Sequence, residues 1–278
     1  MKGRELYDWV QDELSTVYPP EEAGAMARIL LEEVMGLPFH VILVDPEAQQ
    51  EPSATLLTAL SQLKKHRPLQ YVLGRTDFAG LNFRVDERVL VPRPETEELV
   101  RWIVDENRLK TPAILDVGTG SGAIAVSLAR AIPGAEVSGW DVSLEALEIA
   151  MENAEANGVL VRFRQTDVLT EKPSEKYDLI VSNPPYVRES ERMVMRANVL
   201  DYEPACALFV PDDDPLLFYR KITELATLSL QDGGWLYFEI NEAYGPEIVN
   251  LLKSNGFSGV ELRRDIFDRD RMVRAQWK

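Results

Sequence analysis

The chain has 278 residues, enough for one large domain or two smaller ones, and 45% of them are hydrophobic, ample for a core. Its formal net charge of −16 lacks the basic footprint of a protein that lives on DNA or RNA, so no stable nucleic-acid partner is expected. One cysteine, Cys206, and two histidines, His40 and His66, argue against a disulfide framework, a metal cluster or a Ser-His-Asp triad, and no metal site is expected.

The opening stretch "MKGRELYDWVQDEL" is amphipathic and charged, unlike a signal peptide. No run of about 18 uncharged apolar residues follows, so the expectation is a cytoplasmic protein without a membrane partner. Residues 1–75 read as a helical domain. Leu6, Trp9, Val10 and Leu14 recur at helical spacing, and "EEAGAMARILLEEVMG" is a second amphipathic segment ending at Gly36. "PSATLLTALSQLKKH" is a third, with Ser53 as its cap and basic residues in its last turn. In "FAGLNFRVDERVLVPR" the period changes to two. Leu81, Phe83 and Val85 alternate, and Val89 and Val91 follow the turn-like "DER", which predicts a hairpin linker within 76–93.

From residue 94 the pattern is a helix, "ETEELVRWIVDENRL", and then strand–helix alternation. "AILDVG", "AEVSGWD", "VRFRQTD", "YDLIVSN" and "GWLYFEI" read as strands. "SGAIAVSLARAI", "LEALEIAMENAEANG", "PLLFYRKITELATLSL" and "GPEIVNLLKSNG" read as helices. This is the signature of an α/β doubly wound domain over 94–278.

Two strand ends carry chemistry. "LDVGTGSGAIAVSLA" places Gly118, Gly120 and Gly122 after a strand and before a helix, where the backbone can turn sharply and let a ligand approach. In an open parallel sheet, ligands bind beyond the carboxyl ends of the strands. Asp141 ends the next strand, where a carboxylate can accept both hydroxyls of a ribose; Ser143 can cap the following helix and leave it free. Asp167 ends the third strand, within reach of an exocyclic amine such as that of adenine, and Asp116 completes a rim of three carboxylates. The glycine cluster alone fits either a nicotinamide cofactor or S-adenosylmethionine.

The fourth strand ends in "NPPY", Asn183 to Tyr186. Pro184 and Pro185 stiffen the turn and offer carbonyl acceptors without N–H donors. Asn183 adds a side-chain carbonyl oxygen and Tyr186 a flat aromatic wall. Such an acceptor-rich slot suits a planar –NH2 conjugated to a carbonyl or ring. Asn183 Oδ1 and the Pro184 carbonyl can hold its two hydrogens and align the nitrogen for attack on an electrophilic methyl. The same chemistry would serve a glutamine amide or the exocyclic amine of adenine or guanine in a nucleic acid.

Taken together, "DVGTGSG", "NPPY", "LQYVLGRTDFAGLNFRVDERVLVPRPETEELV" (69–100), "YEPACALFVPDDD" (202–214) and "RDIFDRDRMVRAQW" (264–277) resemble the release-factor glutamine methyltransferases, the HemK/PrmC family. The resemblance implies a Rossmann-like methyltransferase domain with a mostly parallel seven-stranded sheet behind a helical N-terminal substrate-recognition domain. It implies N5 methylation of the glutamine in the Gly-Gly-Gln motif of class I peptide chain release factors, with S-adenosyl-L-methionine as donor and S-adenosyl-L-homocysteine as product. Gly118, Thr119, Gly120, Ser121 and Gly122 would then hold the methionine part of the donor, with Asn183 beside them. Asp141 would bind the ribose, and Asp167 and Val168 would flank adenine. Some relatives carry an aromatic where this chain has Val168, so stacking on adenine would be lost there. Asn183, Pro184, Pro185 and Tyr186 would receive the glutamine, with Asn183, Pro184 and Tyr186 serving the chemistry.

Three further features read as structural. "PRPETEE" reads as helix capping by Glu95, Glu97 and Glu98 with an ion pair to Arg93, or as one wall of the substrate pocket. Cys206 in "EPACALF" reads as core, and "PDDDP" (211–215) as a solvated turn.

Overall fold

A computed structural model describes residues 2–44, 51–171 and 173–278, so positions 45–50 of the expected helical domain lie outside the described residues. The chain divides into two compact units, one of residues 1–74 with 196–202 and one of residues 75–195 with 203–278.

The smaller unit is helical: α1 (Gly3–Ser15), α2 (Pro20–Met35), α3 (Phe39–Val44), α4 (Ala54–Leu63) and α5 (Leu69–Leu73). Leu6, Val10 and Leu14 of α1 are buried against Ala23, Ala27, Leu30 and Leu31 of α2 and Leu56, Leu60 and Leu63 of α4. Their spacing of three and four residues puts one apolar stripe of each helix into a shared core. Ser53 caps α4, its Oγ accepting the Leu56 N–H at 3.1 Å. The helix stops at Leu63, so Lys64 is its C-cap and the basic residues lie beyond the last turn rather than in it. Ser53→Ala is expected to destabilise this unit by about 1 kcal/mol, the usual worth of such a cap. Urea unfolding followed by helical circular dichroism measures it, and an unchanged midpoint would show that the cap contributes nothing.

The larger unit opens with a hairpin, β1 (Arg75–Phe78) and β2 (Leu81–Arg84), in which Phe78 pairs with Leu81. This corrects the expected register, in which Asp86–Arg88 was the turn between strands at 81–85 and 89–91. Ala79 and Gly80 both have positive φ, at 50° and 74°. That combination makes a tight two-residue hairpin turn. Val89 and Val91 are buried but stay outside any strand, with Pro92 following.

After α6 (Pro94–Glu106) come β3 (Ala113–Val117), α7 (Ala123–Ala131), β4 (Glu136–Asp141), α8 (Leu144–Ala156), β5 (Val161–Gln165) and β6 (Tyr177–Ser182). Short pieces β7 (Val187–Arg188), α9 (Ala197–Leu200, which clusters with the smaller unit) and β8 (Phe209–Val210) lead to α10 (Leu217–Ser229) and β9 (Leu230–Glu239). The chain then forms α11 (Gly245–Ser254), β10 (Ser258–Arg264) and β11 (Asp270–Gln276). The seven-stranded sheet runs β10-β11-β9-β6-β3-β4-β5. Pairings from β9 to β5 are parallel, and β11 pairs antiparallel with both β9 and β10.

Successive strand residues serve opposite faces. Ile114, Leu179, Val181 and Tyr237 join the core under α6 and α7, whereas Leu115, Ile180, Leu236 and Phe238 join the core under α10 and α11. Burial of both faces explains why these strands read as continuous apolar runs. No helix among the described residues is long and apolar enough to cross a membrane.

Candidate functional site

A cavity of about 400 Å³ lies in the larger unit, at the carboxyl ends of the central parallel strands. It is lined by Gly118 and Gly120 after β3, Asp141 ending β4, Asp167 and Val168 after β5, and Asn183, Pro184 and Pro185 after β6. Thus residues far apart in sequence converge because parallel strands bring all their carboxyl ends to one edge.

The glycine loop is shaped by buried bonds. The Gly118 and Thr119 N–H groups both donate to the Trp140 carbonyl, at 2.8 and 2.9 Å. Gly118 and Gly120 have φ of 74° and 54°, and a Cβ at either would meet nothing within 4 Å. Their backbone therefore faces open space, the cradle a ligand needs. Thr119, Ser121 and Gly122, expected beside them, are absent from the cavity wall. The Thr119 hydroxyl donates to Asp116 Oδ2 at 2.6 Å, the Ser121 carbonyl accepts from Asn153 Nδ2, and Gly122 packs close to Ala150.

Asp116 is fully buried and does not join the rim of carboxylates expected for it. It staples the loop instead, accepting from Thr119 and from the Ala125 N–H of α7 at 3.1 Å. Burial pushes its pKa up to about 7 against these two bonds. Asp141 does face the cavity. The Gly120 N–H donates to its Oδ2 at 2.8 Å and the Ser143 N–H to its Oδ1 at 2.9 Å, with the Val142 N–H also favouring the carboxylate, so part of its acceptor capacity remains. Burial raises its pKa, and the backbone bonds oppose that rise. Ser143 caps α8 as expected, its Oγ accepting the Ala146 N–H.

At the end of β6, Ser182 Oγ donates to the Val117 carbonyl at 2.6 Å and ties this strand end to β3. Asn183 Nδ2 donates to Thr96 Oγ1 at 3.2 Å, and Thr96 Oγ1 donates to Glu239 Oε2 at 2.6 Å. Among the described residues none donates a hydrogen bond to Asn183 Oδ1, and Asn183 lines the cavity. Tyr186 is absent from the cavity wall. Its ring packs against the α10–α11 core and its hydroxyl reaches Glu239 Oε1 at 3.4 Å, so it braces the turn from behind. Phe209 and Phe218 supply the aromatic surface instead. Burial pushes Glu239 up to about 7, opposed by the Thr96 bond and the Arg271 charge. Burial, aided by the Glu239 charge, raises the Tyr186 pKa well above that of free tyrosine.

Thr96 and Glu239 escaped the sequence reading. The signal was a lone carboxylate closing the apolar strand "GWLYFE". Arg93 pairs with buried Glu203, one nitrogen lying 2.7 Å from both carboxylate oxygens, rather than with the glutamates of its own helix. Cys206 is exposed and lines the cavity, correcting its expected place in a core. Of the "PDDDP" acids, Asp212 accepts from Ser190 and Asp214 pairs with Arg220.

With a glycine cradle after β3, a carboxylate ending β4 and an acceptor-rich turn after β6 on one cavity, the larger unit is a methyltransferase domain by its family-model match. Residues 96–201 match the family model of the methyltransferase small domain, and residues 5–74 that of the PrmC N-terminal domain. The hMettl16 catalytic domain, solved with the MAT2A 3'UTR hairpin 6, shares the fold at TM-score 0.59 and 17% identity, covering 83% of this chain and 84% of that one. The chain is 46% identical over 272 residues to the release factor glutamine methyltransferase of Flavobacterium psychrophilum, covering 95% of each. It is 45% identical over 275 residues to that of Bacteroides thetaiotaomicron, covering 96% of this chain and 97% of the relative. The chain belongs to the release factor glutamine methyltransferase family, whose fold implies S-adenosylmethionine as methyl donor.

Proposed function

We propose that this protein transfers a methyl group from S-adenosylmethionine to the side-chain N5 of the Gly-Gly-Gln glutamine of class I peptide chain release factors. The observation that carries the reading is Asn183, whose Nδ2 is committed to Thr96 while its Oδ1 is left open on the cavity that the glycine cradle shares. The donor supplies an electrophilic methyl on a sulfonium and leaves as S-adenosylhomocysteine.

The open backbone at Gly118 and Gly120 suits the methionine part, and the loop around them holds its shape through Asp116. Asp141 has acceptor capacity left for the ribose hydroxyls, and Asp167 with Val168 flanks the adenine. The glutamine amide nitrogen is a weak nucleophile because its lone pair is delocalised. Asn183 Oδ1 and the Pro184 carbonyl each accept one of its hydrogens, which fixes the nitrogen and favours pyramidal character as it attacks. The new N–C bond forms as the S–C bond breaks, and the proton leaves the cationic nitrogen afterwards, so no strong base is required. Alignment and charge placement do most of the work. The N-terminal helices, on this reading, hold the release factor.

The test is a methyl map. The protein is incubated with labelled S-adenosylmethionine and a class I release factor, or with DNA or RNA, and the products are analysed by mass spectrometry. Label on the Gly-Gly-Gln glutamine is expected. Label on adenine or guanine, with none on the glutamine, overturns the reading.

A further inference from the structure

We infer that Glu239, acting through Thr96, is a positioning residue that fixes which end of the Asn183 amide faces the substrate, and that it does so only as a carboxylate. The inference rests on the glutamine-methylating reading above.

Donor counting carries it. The Thr96 hydroxyl has one hydrogen and two lone pairs. An ionised Glu239 has no hydrogen to give, so Thr96 must donate to it, and the 2.6 Å separation is in the range of a charge-assisted O–H···O⁻ bond. Thr96 can then only accept from Asn183. That selects Nδ2 as the atom turned toward Thr96, at 3.2 Å, and leaves Oδ1 for the substrate.

Protonation of Glu239 reverses the chain. Its new hydrogen can go to Thr96 Oγ1, which frees the Thr96 hydrogen for Asn183. The amide then gains from turning Oδ1 toward Thr96 and presenting Nδ2 to the cavity. A slot that offers N–H donors to an –NH2 group repels it. The carboxyl is poised for this change because burial brings its pKa up to about 7.

The charged and titratable groups around Glu239 come from several elements. Arg271 of β11 favours the carboxylate, and Glu95 of α6 opposes it. Tyr186 donates to Oε1, and the Tyr219 hydroxyl of α10 donates to the Glu239 backbone carbonyl at 3.3 Å. Among the described residues, Thr96 is the hydrogen-bonded link from the carboxyl to the amide.

The sign follows directly. Turnover should fall as pH drops through about 7, because the acid form of Glu239 releases the amide. The experiment measures kcat and KM for the release factor between pH 5.5 and 9 in wild type, Glu239→Gln, Thr96→Val and Thr96→Ser, with donor affinity by calorimetry as a control for folding. Thr96→Val should lower kcat by about 10-fold or more, the scale of losing one buried hydrogen bond, with donor affinity within twofold of wild type. Thr96→Ser should restore most of the loss. Glu239→Gln should lose the acidic limb of kcat at saturating donor, because its amide does not titrate; titration of Asp116, which shapes the glycine loop, is read separately in the donor's KM. Wild-type kcat in Thr96→Val, or an acidic limb with unchanged midpoint in Glu239→Gln, overturns the inference. Should Thr96→Val fail to fold, the Glu239→Gln profile decides alone. Failure of the wild type to methylate the glutamine sinks the functional reading instead, so the two failures are distinguishable.

Discussion

Asn183→Ala is expected to lower kcat on the release factor by about 100-fold or more while leaving donor affinity nearly unchanged. The scale is that of removing one preorganised polar contact to the reacting group. The residue lines the cavity at a stiff turn, with Pro184 buried beside it and Ser182 bonded to β3. Its amide is already held by Thr96 before any substrate arrives, so little reorganisation remains to be done at the moment of reaction. On the proposed reading, truncation removes Oδ1 and leaves the Pro184 carbonyl to hold one hydrogen alone, so the nitrogen can rotate out of line. The effect belongs on kcat because the acceptor matters most as positive charge builds on the nitrogen. Single-turnover kinetics at saturating donor measures it, and turnover within threefold of wild type would remove Asn183 from the mechanism.

The same residues show what a sequence can and cannot carry. The cradle and the "NPPY" turn were legible because each is contiguous: glycines where φ turns positive, prolines where donors must be absent. Strand–helix alternation gave the parallel part of the sheet for the same reason, since each apolar run is local. The partners that orient these residues were not legible. Thr96 lies 87 positions from Asn183 and Glu239 lies 143 from Thr96, and only the packing of α6 over β9 joins them. Arg93 illustrates the limit from the other side. Its own helix offers glutamates, but its partner is Glu203, 110 residues on, a buried carboxylate that only folding brings near. The hairpin slipped for a different reason. "DER" and "AG" are both plausible turns, and the alternation of Leu81, Phe83 and Val85 continues past the strand end. Positive φ at Ala79 and Gly80 decided it, and an alanine there does not advertise that conformation. Asp116 was misplaced because strand-end position alone does not say which way a side chain points; here it turns under the loop.

Asp141→Ala is expected to weaken S-adenosylmethionine binding by about 10- to 100-fold, the worth of one or two hydrogen bonds to a charged group, while kcat at saturating donor falls only a few-fold. The carboxylate holds the cavity wall together, through Gly120 on the cradle side and Ser143 on the helix side, and on the proposed reading its remaining lone pairs take the ribose hydroxyls. On that reading the ribose contacts lie away from the transferred methyl and are the same in ground state and transition state. Their loss is therefore uniform and should appear in the donor's Kd and KM rather than in kcat. Asp141→Asn separates the two duties. It keeps one acceptor oxygen and the volume but loses the charge, so its loss should fall between wild type and alanine. Calorimetric Kd values for the donor in the three proteins give the ordering. An alanine variant that binds within twofold of wild type would place the ribose elsewhere in the cavity, and one that loses kcat as steeply as Asn183→Ala would show that the cradle's shape, rather than the ribose contact, depends on Asp141.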